Sequence, residues 1–230
     1  MMKKNLQRLL GGLLAAVLAL TLLASALYLL PTNDALMLHL LGRNSTPAGS
    51  ALPDRDYPRM AEMICAYLRG ETKEFQLTTE IGVETFDVFG EREQQHMADV
   101  QALFGLCRGV AIGGLIALLI LVGVALALRS REMLRGFRVM LAVIPFFAAA
   151  LALWAVVDFE SLFILFHEVM FTNDLWLLDP KLSMLIRLMP TAFFVDWVTL
   201  VGCAWMLGMA LALLGSVFVP RMMNKGDGNP

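Results

Sequence analysis

A chain of 230 residues that is 58% apolar and 17% charged is greasier and less charged than a soluble domain, for which about 45–50% and about 25% are usual. A formal net charge of -2 and the lack of a basic tract leave no electrostatic footprint for nucleic acid. The three cysteines, Cys65, Cys107 and Cys203, are too few and too scattered for a disulfide framework or a zinc-knuckle spacing, and read as small apolar or buried thiols.

The first element is an apolar run at 9–30, preceded by Lys3, Lys4 and Arg8. A bilayer core needs about 20 apolar residues per helix, so this run is long enough to cross. Within it, Ala24-Ser25-Ala26 resembles a signal cleavage site, but apolar character continues to Leu30, which suits an uncleaved span. The segment 31–108 is too long for a connector. It contains a Gly-, Pro- and Ser-containing tract at 42–56 that reads as loop. The stretch YPRMAEMICAYLR, Tyr57 to Arg69, places Met60, Met63, Ile64, Tyr67 and Leu68 at helical spacing, with Gly70 as a stop. Residues 75–89 alternate weakly and predict a short hairpin. From about Gly90 the sequence EREQQHMADVQALFGLCRG reads as helix and runs into a second apolar run, 109–128. His96 and Asp99 share a face of that helix.

Arg129, Arg131, Arg135 and Arg138 fill the short loop before a third apolar run, 139–157. The segment 158–197 is too interrupted to span and too greasy for water. It predicts a helix and loop lying in the membrane interface, with a further short helix at 181–189 between Pro180 and Pro190. Asp196 and Trp197 mark the mouth of the fourth run, 198–219, which ends at Pro220 and is followed by Arg221 and Lys225.

The fold class is therefore an all-α membrane protein. It has four transmembrane helices, a small mixed extracellular domain between spans 1 and 2, and an interfacial helix-loop between spans 3 and 4. Residues 1–230 form a single integral membrane domain. Four crossings put the three Lys/Arg clusters on one side, which the positive-inside rule makes the cytoplasm. Both termini are then cytoplasmic. Segments 31–108 and 158–197 face outward, at the outer surface of the cell membrane.

That topology brings His96 and His167 to the same membrane surface from distant parts of the chain. Carboxylates accompany both: Glu93 and Asp99 near the first, Glu168, Asp174 and Asp179 near the second. Imidazoles titrate near neutrality and pass protons in either direction, and ionisable groups at membrane depth are functional candidates. The bland reading is that an interfacial histidine is an amphipathic anchor, which is the reading for His39. Asn173 and Asp174 also suit a turn, and Arg108 suits snorkelling to the interface, with anion or oxyanion binding as its functional alternative. A nitrogen/oxygen metal site from His96, Asp99, His167 and Asp174 lacks any HExxH or HxxxH pair. A serine nucleophile lacks the GxSxG elbow. Cys107 sits among apolar residues that would make a thiol sluggish. Four spans without charge in their cores offer no ion path.

FHEVMFTNDLWLLDP, with the later LIRLMP and AFF, resembles the second external signature of the lipoprotein intramolecular transacylase (Lit) family. EREQQHMADVQALF resembles its first, a histidine ahead of span two followed by DV, and the YLRG helix and four-span layout also match. Ser183 stands where the resemblance leads one to expect an acid. The resemblance implies an acyltransferase that works without a cofactor or metal. It moves the sn-2 acyl chain of a diacylglyceryl-cysteine lipoprotein to the cysteine α-amine, giving a lyso-form lipoprotein. His96 and His167 are the acid/base pair it implies, supported by Asp99, Arg108, Phe166, Asn173, Asp174 and Trp176. The expected partners are the lipoprotein substrate and membrane lipids, with the protein acting as a monomer. The alternatives are a membrane lipid hydrolase or deacylase, and a non-enzymatic membrane accessory protein.

Overall fold

A computed structural model describes residues 2–45 and 52–225, with side chains placed for 3–45 and 52–217. In chain order the elements are α1 (Met2–Leu29), α2 (Asp34–Asn44), a 3-10 turn (Asp54–Asp56), α3 (Tyr57–Arg69), β1 (Thr78–Ile81), β2 (Glu84–Asp87), α4 (Glu91–Leu128), α5 (Arg131–Val157), α6 (Phe159–Met170), α7 (Met184–Leu188) and α8 (Thr191–Lys225). Among the described residues four helices, α1, α4, α5 and α8, are long and apolar enough to cross a membrane. They leave large side chains such as Leu119, Leu126, Phe146 and Leu211 exposed, the outward apolar surface that lipid requires. Helix α4 has 38 residues, and its first turns are polar.

The chain divides into two compact units. The first comprises residues 1–26, 108–154 and 202–230. Its core is Ala15, Ala19, Leu141, Trp205 and Met209, and the Trp205 indole donates to the Ala19 carbonyl at 2.8 Å. Helices α1 and α5 touch through glycines. A Cβ on Gly11 would lie 1.9 Å from the Met133 carbonyl oxygen, and one on Gly136 would lie 2.1 Å from that of Arg8. Only glycine permits this approach, which replaces the hydrophobic drive that apolar helices lack in lipid with close packing. The α4–α5 turn carries Arg129 at φ 44, and Ser130 accepts from the Met133 amide at 3.2 Å, capping α5.

The second unit comprises 27–107 and 155–201. Its core is built on α3, whose Met60, Ile64, Cys65, Tyr67 and Leu68 are buried. Met37, Leu40 and Leu41 of α2, Phe75 and Phe89 beside the hairpin, Met97 and Phe104 of α4, and Leu185 and Leu188 of α7 pack with them. Helix α3 has the expected bounds, and Gly70 ends it at φ 78, where a side chain would be strained. The hairpin pairs Thr78 with Asp87 and Ile81 with Glu84. Its two-residue turn has positive φ only at Gly82, the type II′ pattern in which the first central residue must be glycine.

Three local readings differ. Within the 42–56 tract, residues 46–51 lie outside the described residues, while Gly42 to Asn44 close α2. That helix starts where the Asn33 side chain accepts from the Leu36 amide at 2.9 Å, a cap signal the composition of the tract hid. The helix expected at 181–189 is shorter, because Asp179 accepts from the Leu182 and Ser183 amides and holds the chain in a turn until Ser183 caps α7. Helix α8 continues past Pro220 to Lys225 instead of stopping at the proline; the side chains of Arg221 and Lys225 lie outside the described residues.

Candidate active site

The site lies within the second unit, between the first turns of α4 and the end of α6. Helix α4 begins at Glu91, and its first turn is fixed by Glu93, which is buried. One Glu93 carboxyl oxygen accepts from the Gly90 amide at 2.7 Å. The other accepts from the Ser183 hydroxyl at 2.6 Å and the Leu185 amide at 2.7 Å. Glu93 therefore ties the start of α4 to the start of α7 and is not free to serve His96. Ser183 fills the place of the expected acid, because its hydroxyl both caps α7 through the Ile186 amide and donates to Glu93. A second carboxylate there would face the first in a buried place.

His96 follows one turn later and is buried, with its Nδ1 buried and without a hydrogen-bond partner. His167, near the end of α6, is buried too. The two rings lie 5.9 Å apart, centroid to centroid, and Phe171 stands 5.2 Å from the first and 5.5 Å from the second. Phe163, Phe166 and Trp176 close the remaining sides of His167, at 4.2, 5.3 and 5.1 Å. Nδ1 of His167 lies 2.7 Å from the Phe163 carbonyl oxygen. A carbonyl only accepts, so the proton of the neutral ring sits on Nδ1 and the lone pair on Nε2.

Burial favours the neutral form of both rings. It pushes the His96 imidazole down to about 4, with the neighbouring His167 lowering it further and Asp99 opposing. Burial also lowers the His167 imidazole, against the Phe163 carbonyl, which favours the cation. Two imidazolium ions this close would repel in a poorly solvated place.

The polar supports arrive from the loop after α6. The Asn173 amide donates to the Asp99 carboxylate at 2.9 Å, pinning the loop to α4 one turn beyond His96. Arg92 donates to the Asp174 carbonyl, so Asp174 acts through its backbone. Asp179 spends its carboxylate on the Lys181 amide at 2.8 Å. Beside His167 opens a cavity of about 610 Å³, lined by the apolar Ile164, Phe171, Trp176 and Leu177 and the polar Glu168, Thr172, Asn173 and Asp174. Arg108 lies in the first compact unit, outside the unit that holds the two histidines. Sequence reasoning missed Arg92, the Phe163 carbonyl and the structural use of Glu93. The first and last are surface-type residues whose partners are distant in sequence, and a backbone carbonyl leaves no residue signal.

The sequence matches the family model described as lipoprotein intramolecular transacylase Lit over residues 12–194. The chain belongs to the Lit family. As a member it is an acyltransferase, a lipoprotein intramolecular transacylase of the membrane. Solved structures agree in fold. The in meso structure of the membrane integral lipoprotein intramolecular transacylase Lit from Bacillus cereus is 18% identical, with a TM-score of 0.76 over 96% of this chain and 99% of that one. Two variants of the same Bacillus cereus Lit, with a histidine replaced by alanine or by arginine, are each 17% identical. The alanine variant gives a TM-score of 0.74 over 97% of this chain and 98% of that one. The arginine variant gives 0.68 over 98% and 97%. Comparison with curated protein sequences finds no match. Among the described residues, no three His, Cys, Asp or Glu side chains gather as a metal-holding group.

Proposed function

We propose that His96 and His167 carry out the transfer as an acid/base pair, moving the sn-2 acyl chain of a diacylglyceryl-cysteine lipoprotein to the α-amine of the same cysteine. The observation that carries this reading is the meeting of two buried imidazoles 5.9 Å apart beside a cavity with both apolar and polar walls. An α-amine has a pKa of about 7.7–8.0, so a base near neutrality is enough to prepare it. His167, with its lone pair on Nε2, takes the amine proton as nitrogen attacks the ester carbonyl. His96 is the hydrogen-bond donor: a neutral imidazole N–H polarises the carbonyl oxygen, as low-pKa imidazoles do elsewhere. The C–O bond to glycerol breaks as the C–N bond of the amide forms. The proton taken from the amine goes to the glyceryl oxygen.

Nucleophile and ester belong to one molecule, so holding them together removes much of the entropic barrier, and no acyl-enzyme is needed. Phe166, Phe171, Trp176 and Leu177 would hold the moving acyl chain. Asp99 and Asn173 keep the loop closed on the ring pair, and Asp174 anchors it through Arg92. Arg108 sits at the membrane edge, where it would meet the substrate's polar region. Residues 1–230 act as one integral membrane domain, monomeric, with both termini in the cytoplasm and the site at the outer surface of the cell membrane. There the substrate's ester lies at headgroup depth.

The test is mass spectrometry of one lipoprotein's N-terminal lipopeptide, from a bacterium that makes only diacylglyceryl lipoproteins. It is run with this gene, with His96→Ala and with His167→Ala. The expected result is an unchanged intact mass with a new N-acyl fragment, lost in either variant. A peptide lighter by one acyl chain, with a free amine, would make the protein a deacylase.

A further inference from the structure

Within the first unit, α1 and α5 enclose an open groove of about 740 Å³ that has no part in the transfer chemistry. The helices meet at Gly11 and Gly136, where each backbone presses on the other. The small residues Gly12 and Ala16 leave the space between them unfilled, and Leu9, Leu13, Val139, Met140 and Val143 give it apolar walls. The polar lining is Asn5, Arg8 and Arg135, all hydrogen-bond donors, with no carboxylate among the lining residues.

Glu132, just outside the lining, pairs with both arginines: its carboxylate is 2.5 Å from Nε of Arg8 and 3.3 Å from Nη1 of Arg135. One carboxylate between two guanidiniums orients them and leaves a net positive charge. Each guanidinium has five N–H donors, so most remain free. Snorkelling would explain either arginine alone. It does not explain two converging guanidiniums at one end of a concave apolar chamber.

We propose that this groove binds one anionic phospholipid of the leaflet that the N-terminal basic residues face. Arg8, Arg135 and Asn5 hold its headgroup phosphate, and one acyl chain lies along Leu13, Val139 and Val143. Charge complementarity selects the occupant. Lipid tails are as apolar as the walls, so the chain contributes little preference over bulk lipid. Preference must come from the headgroup, and basic pockets between helices on the cytoplasmic side are where such headgroups bind.

The experiment uses the full chain, purified in detergent and stripped of lipid, with native mass spectrometry as the readout. The probes are phosphatidylglycerol, phosphatidylcholine with the same acyl chains, and inorganic phosphate. The expected result is one phosphatidylglycerol retained at least tenfold more tightly than phosphatidylcholine, with no phosphate adduct. The double variant Arg8→Gln, Arg135→Gln removes the preference, and Ala16→Leu, which fills the groove, weakens retention of both lipids. Equal retention of the two lipids by the unaltered protein overturns the proposal, as does a preference that survives the double variant. Retention of inorganic phosphate alone would make the site one for a free anion and not for a lipid.

Discussion

The Phe163 carbonyl oxygen lies 2.7 Å from Nδ1 of His167, one helical turn away on α6. This hydrogen bond places the ring proton on Nδ1 and leaves Nε2 to accept. His167→Asn keeps a donor in reach of the Nδ1 position but has no base. We expect it to fold and to be as inactive as His167→Ala, slower by about 10²–10⁴-fold, the usual size of general acid–base catalysis. N-acyl lipopeptide formation measures this, and near-normal transfer by the asparagine variant would remove His167 from the role of base.

Burial of both imidazoles makes stability depend on pH in one direction. Where the folded pKa lies below the unfolded value of about 6.5, the unfolded chain binds the proton first as pH falls. The contribution is complete above neutrality, declines below about pH 6.5, and for His96 is lost on reaching about 4. The thermal midpoint of the detergent-solubilised protein should therefore drop between pH 7 and 5, and less steeply in His96→Gln. Parallel curves for the two proteins would contradict this.

Glu93 serves three donors at once. Glu93→Ala leaves the Gly90 and Leu185 amides and the Ser183 hydroxyl without their acceptor, at about 1–3 kcal/mol for each that stays dry. Glu93→Gln keeps an oxygen that can accept and should lose less. Ser183→Ala removes one of the three bonds and should be the mildest. Thermal unfolding should rank them in that order, and a fully stable Glu93→Ala would show that the strut is unimportant.

Asp99 and Asn173 form one contact between α4 and the loop after α6. We expect Asp99→Ala and Asn173→Ala each to slow transfer by roughly tenfold, with the double variant little worse than either, because partners in one contact are not additive. Multiplicative losses would mean the two residues act separately.

In the first unit, a Cβ on Gly136 meets the Arg8 backbone, whereas nothing lies within 4 Å of one on Gly113. Gly136→Val should lower the thermal midpoint, since forced overpacking costs about 1–3 kcal/mol and sometimes more. Gly113→Ala should leave the midpoint unchanged. Equal behaviour of the two variants would deny the close crossing.

The four crossing helices were legible because lipid imposes a one-dimensional rule: every backbone group must be satisfied within an apolar stretch of sufficient length. Helix α3 was legible for a similar reason, since its apolar spacing and Gly70 are local signals. Helix α2 was not, because its Asn33 cap precedes a stretch with weak amphipathic contrast and ends in a glycine-containing tract.

The sequence by itself determined the membrane class and the family signatures, and it singled out His96 and His167 as the candidates. All of these reside in residue type and local spacing. Only the tertiary structure decided what each polar group is spent on. Glu93 and Asp179 looked like carboxylates available to the histidines, yet one holds α7 and the other a turn. Asp99 took the Asn173 amide, and His167 took a backbone carbonyl that no side chain announces. A hydrogen bond is satisfied by whichever partner folding brings within reach, and that reach is a property of three dimensions.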